Sequence, residues 1–130
     1  NVARNPASLS IKHDKLLLAI CDELRHATMR AVTLGYGPRF LHSTGQLHKG
    51  GPNNGVFIQI TVENNEKLPI PGEPYDFMLL KRAQAQGDLE ALQSKNRRVV
   101  RFHLPVGSVS AGLESLLEAI RTAAAKKRGW

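Results

Sequence analysis

The 130-residue chain has room for one domain with a hydrophobic core and not comfortably for two. Its net charge of +7 raises the question of nucleic acid. However, Lys and Arg are spread along the chain, dense only at Arg97-Arg98 and Lys126-Lys127-Arg128, and four Phe, two Tyr and one Trp offer few stacking platforms, which argues against nucleic acid and leaves the charge compatible with a small anionic substrate.

The single cysteine, Cys21, excludes an internal disulfide and any thiolate-rich metal site. No run approaches the roughly 20 apolar residues of a membrane-spanning helix, and no signal peptide pattern is present, so the expectation is a soluble protein without membrane contact. The chain begins at Asn1 and reads as a segment of something longer.

Residues 1–12 have mixed polarity and no period, and read as a linker or tail, leaving 13–130 as a single α/β domain. From 13 to about 30, Leu16, Leu17, Ile20, Leu24 and Ala27 recur at helical spacing. Residues 31–36 are β-prone and end at Gly35-Tyr36-Gly37-Pro38, which stops a strand. Residues 40–48 can form a short helix, and 56–62 make the best strand in the chain. Three prolines then predict an irregular loop over 63–75. Asp76 is a plausible N-cap for a helix whose apolar side is Leu79, Leu80, Ala83, Leu89 and Leu92, weakened by Gly87. Residues 98–104 read as a strand, and Ser110 as the cap of a final helix with Leu113, Leu116, Leu117, Ile120 and Ala124 on one face. Strands alternating with helices predict a three-layer α/β/α fold around a short parallel sheet.

The densest polar segment is GYGPRFLHSTGQLHKGGPNNG, residues 35–55, which follows a strand as ligand-binding segments of parallel sheets do. On a helix, His42, Gln46 and Lys49 fall at about 0°, 40° and −20°, placing a proton carrier, an amide and a cation on one stripe. The amide can bond sugar hydroxyls, the ammonium can stabilise an enediolate oxygen, and Ser43, Thr44 and nearby backbone N–H groups, including that of Gly45, can bond phosphate. A solvated helix face gives the same pattern. Glu73, held between prolines in PIPGEPYDF, is a candidate general base or a loop-capping residue. His42 and His48 are six apart, about 240° around a helix, and share no metal face. GYGPRF lacks GxGxxG spacing and no P-loop occurs, so neither a metal nor an organic cofactor is expected. His103 reads as a packing residue in a central strand.

Three ordered blocks, GYGPRFLHSTGQLHKGGPNNGVFIQIT, PIPGEPYDFMLLKRAQAQGDLEAL and RRVVRFHLP, resemble the glucose-6-phosphate isomerase part of bacterial bifunctional transaldolase/glucose-6-phosphate isomerases, over roughly 33–104. The resemblance implies the second, C-terminal subdomain of a sugar isomerase (SIS), flavodoxin-like fold. It also implies interconversion of glucose 6-phosphate and fructose 6-phosphate through a cis-enediol, in glycolysis and gluconeogenesis. Gln46 matches the family's substrate-binding glutamine in its SxGQ segment. Lys49 corresponds to the family's cation, although the spacing between the two differs among branches, and His42 stands where other branches have glutamine. The catalytic glutamate and ring-opening histidine have no match here. The expected partners are therefore a phosphorylated hexose and the remainder of the isomerase chain, or a second subunit, completing the site; the fragment alone should be inactive or nearly so. Two rival readings are a non-catalytic SIS-type module sensing a phosphosugar for a regulator, and, on charge alone, an RNA-binding fragment.

Overall fold

The computed structural model describes residues 2–3, 11–37 and 44–128. The order is β1 (Val2–Ala3), α1 (Ile11–Thr28), β2 (Tyr36–Gly37), α2 (Gly45–Gly50), β3 (Val56–Val62), α3 (Phe77–Ser94), β4 (Arg98–Leu104) and α4 (Val109–Arg128). The protein is an α/β fold with a parallel sheet of strand order β2-β1-β3-β4. The chain divides into two compact units, 1–4 with 35–106, and 5–34 with 107–130. The division has a local cause, because each unit carries its own buried apolar residues.

In the first unit, β3 and β4 pair in parallel over their whole length, from Val56 opposite Arg98 to Val62 opposite Leu104. Both strands occupy the expected bounds, since β-branched residues fill a pleated surface well. Glu63 N–H extends the ladder by donating to Leu104 O at 2.8 Å. The segment expected as a linker contributes β1, which pairs Val2 with Tyr36 and with Ile60. The first expected strand is displaced: 31–35 are irregular and only Tyr36–Gly37 pair, because β1 offers them a two-residue edge.

The 63–75 loop is irregular as expected. Pro71 and Gly72, the latter at φ +83°, make a type II-like turn closed by Glu73 N–H to Ile70 O at 3.1 Å. A bridge between Pro69 and Asp76, with Phe77 N–H to Leu68 O at 2.9 Å, ties the loop back on itself. Asp76 caps α3, its carboxylate accepting from Leu79 N–H at 2.7 Å. At the other end a Schellman motif closes the helix: Asn96 at φ +52° donates to Gln93 O and Arg97 N–H to Leu92 O, each at 2.9 Å.

The buried face of α3 differs from the expected one. Met78, Asp88 and Leu92 are buried, Lys81 and Ala85 half-buried, while Leu79 and Leu80 are 52% and 40% exposed. The stripe 78-81-85-88-92 follows helical spacing but carries two charges, so an apolar reading of the helix finds Leu92 and misses the rest of the stripe. Gly87 lies on the exposed side, and a Cβ added there meets nothing within 4 Å. Gly87→Ala should therefore stabilise the protein by about 0.5–1 kcal/mol in a denaturant titration, through helix propensity alone.

In the second unit, α1 and α4 run side by side in the same direction. Lys12 pairs with Glu114 at 3.3 Å, Glu23 with Arg121 at 3.1 Å, and Lys127 Nζ donates to Ala27 O at 3.5 Å. Leu17, Ile20 and Cys21 on α1, and Val109, Leu113, Leu117 and Ala124 on α4, are buried. Burial pushes the Cys21 thiol pKa above its ordinary value, consistent with an inert packing role. Ser110 lies inside α4 and bonds His13 Nε2 at 2.8 Å; Ser108, whose carbonyl accepts from Gly112 N–H, takes the capping position.

Candidate functional site

The segment that sequence singled out folds in part as expected. His42 and Ser43 lie outside the described residues. Thr44 stands at the N-cap of α2 with φ −83° and ψ −21°, its carbonyl accepting from His48 N–H at 3.1 Å. Gly45 is buried and Gln46, one residue on, is exposed with its amide in solvent. Helix α2 spans Gly45–Gly50, two residues past the expected end at 48, and residues 40–43 of the expected helix lie outside the described residues.

Lys49 is turned inward. Its ammonium lies 3.0 Å from the Asp88 carboxylate, with side chains 33% and 4% exposed respectively. A buried carboxylate requires such compensation, and Asp88 draws it from a different element. Beside this pair, His48 packs on Phe57 with ring centroids 5.0 Å apart. Burial holds the His48 imidazole below its ordinary pKa, opposed by the pull of the Asp88 carboxylate.

The turn after α2 is fixed by guanidinium groups. Arg97 donates to Lys49 O at 2.8 Å and Gly51 O at 2.6 Å, and Arg98 to Asn53 O at 2.7 Å and Gly55 O at 3.3 Å. These carbonyls include those left open at a helix C-terminus. A Cβ at Gly51 would stand 2.6 Å from Leu47 O, so only glycine fits there. The dense Arg97-Arg98 pair thus serves the fold. Its local cause is the α3 Schellman turn, which delivers both side chains to the start of β4.

No protein-family model, curated protein or solved structure matches the chain. Its chemistry is therefore read from its own residues. Among the described residues no three His, Cys, Asp or Glu side chains group as a metal site would require. None of the described helices is long and apolar enough to cross a membrane.

Gln46 and Lys49 stand on the same short helix, yet the amide is exposed and the cation is held by Asp88. Glu73 is exposed beyond the far end of β3, in the proline loop, whereas Lys49 reaches Asp88 near the start of that strand. The fold thus does not gather these candidates around one point.

A polar cluster that sequence reasoning missed lies between α3 and the sheet. Gln59, 5% exposed, donates to Ala85 O at 3.1 Å and accepts from Arg101 Nε at 2.6 Å. Arg101 also donates to Ala85 O at 2.8 Å and Gln86 Oε1 at 2.7 Å. Two residues further along both strands, Thr61 Oγ1 and His103 Nδ1 are 2.8 Å apart. Because β4 is the edge strand, His103 is exposed rather than packed centrally. The signal was available in the polar alternation Gln59/Thr61 and Arg101/His103, which places both pairs on the face toward α3.

Proposed function

We propose that the chain is the sugar-phosphate-binding α/β part of an aldose–ketose isomerase of the glucose-6-phosphate isomerase type, a cytoplasmic enzyme of glycolysis and gluconeogenesis. One observation carries the reading. The three resembling blocks, over roughly 33–104, coincide with the long segment of the first compact unit, 35–106, and fall in order on β2–α2–β3, the loop with α3, and β4. A parallel β3–α3–β4 frame with a proline-bound loop at the carboxyl end of β3 also supports it, being the kind of frame that presents polar ligands.

In this reading Gln46 contacts substrate, since its exposed amide can bond a sugar hydroxyl. Lys49 fixes α2 through Asp88, and its partly open side chain brings positive charge within one helical turn of Gln46. Ser43, Thr44 and Gly45 bind phosphate at the start of α2, and His42 assists proton movement. The glutamate base and ring-opening acid come from the remainder of the isomerase or a second subunit, because no residue here matches them.

The chain should then bind fructose 6-phosphate while turning it over poorly. In a coupled assay its isomerase rate should be lower by orders of magnitude than that of a complete enzyme, because each positioned acid or base contributes about 10²–10⁴. Gln46→Ala should weaken fructose 6-phosphate binding by about 1–3 kcal/mol without altering the midpoint of thermal unfolding. Unchanged affinity in that variant would remove Gln46 from the site. Full turnover by the chain alone would instead place the base within it, with Glu73 the first carboxylate to replace.

A further inference from the structure

The inward stripe of α3 carries two charges, and they are treated differently. Asp88 has its counter-ion in Lys49 at 3.0 Å. Lys81, seven residues earlier on the same stripe, is half-buried, and among the described residues none forms an ion pair or hydrogen bond with it. Burial holds its pKa below the ordinary lysine value, the mark of a cation short of compensation.

The position of Lys81 over the sheet follows from the register. Because β3 and β4 are parallel, the helix connecting them runs back against both strands. The Gln59–Ala85 bond fixes one level of that packing. From Ala85 to Lys81 the helix rises about 6 Å, and from Gln59 to Thr61 the strand advances about 6.6 Å. Lys81 therefore lies at the level of the Thr61–His103 pair, which faces α3 like Gln59 and Arg101. This level is the carboxyl end of the strands, where open parallel sheets bind ligands.

We propose that Lys81, Thr61 and His103 form a binding site for a tetrahedral oxyanion, either free phosphate or the phosphate of a monoester. The anion supplies the counter-charge that Lys81 lacks. In its Nδ1–H tautomer His103 donates from Nδ1 to Thr61 Oγ1, which frees the Thr61 hydroxyl hydrogen for an anion oxygen. His103, exposed on the edge strand, leaves the approach open from solvent. The site is separate from α2 and does not rest on the isomerase reading.

Inorganic phosphate, titrated at constant ionic strength into the labelled chain, should shift the His103 imidazole and Lys81 Nζ resonances saturably, with a Kd of about 1 mM or tighter. Lys81→Met should weaken this binding by about tenfold or more. It should also leave the unfolding midpoint equal or raised, because an uncompensated, partly buried cation opposes folding. Thr61→Val should weaken binding severalfold in a folded protein. Fructose 6-phosphate binding more tightly than phosphate at these resonances would identify a monoester as the ligand; equal affinity would identify the free anion. Non-saturating shifts, or unchanged affinity in Lys81→Met, would overturn the proposal. So would a lowered midpoint or loss of folding in Lys81→Met, which would show that a protein carboxylate already holds the ammonium. Glu63, the next position on that strand face, is the nearest by register.

Discussion

Lys49→Met is expected to destabilise the protein by about 3–5 kcal/mol, the cost of leaving a buried carboxylate without its partner. Asp88 is 4% exposed, so water cannot replace the ammonium 3.0 Å away. The loss should appear as a lower denaturant midpoint with an unchanged slope, since the folded state remains compact. Adding Asp88→Leu should restore most of it, because an apolar pair of similar volume removes the desolvation cost along with the attraction. Non-additivity of this size identifies a direct pair. If Lys49→Met alone proved neutral, the Asp88 carboxylate would have to be solvated in the folded state, and α2 would not be anchored as described.

Leu113→Ala should cost about 2–5 kcal/mol, the range for removing a large aliphatic side chain from a close-packed site. Leu113 and Leu17 are each 1% exposed, one on each of the two parallel helices of the second unit. Leu17→Ala should cost a similar amount, and the two effects should fall short of additivity if they share one cavity. The neighbouring Leu18, 56% exposed, provides the control: Leu18→Ala should change stability by no more than about 0.5 kcal/mol. Equal effects at positions 17 and 18 would contradict the packing of α1.

The parts of the fold legible in the sequence are those where local chemistry decides. Strands β3 and β4 were legible from β-branched runs ended by turn residues, the α3 start from Asp76, and the 63–75 loop from its prolines. The stripe Leu113-Leu117-Ala124 on α4 was legible because nothing polar interrupts it. The α3 stripe was not, because its inward positions include the charged Lys81 and Asp88, and the partner that compensates Asp88 is Lys49, 39 positions away. Strand β1 escaped for a similar reason, since two residues carry no period and pair only with strands far along the chain. At the candidate site, the sequence pointed to Gln46 as an amide and to Lys49 as a cation on one stripe of the same helix. It was silent on what Lys49 touches, because a helical stripe specifies angle and not the neighbour. The Arg97-Arg98 pair stood out in sequence only as a dense group of basic residues, and it binds backbone carbonyls, a role that depends on the α3 turn.

The most direct test of the sugar-phosphate reading is calorimetric titration of the chain with fructose 6-phosphate and, in parallel, with fructose. The account predicts saturable binding of fructose 6-phosphate, weakened in Gln46→Ala, and no measurable binding of fructose. Absence of saturable heat with fructose 6-phosphate, or equal affinity for the two sugars, would contradict it.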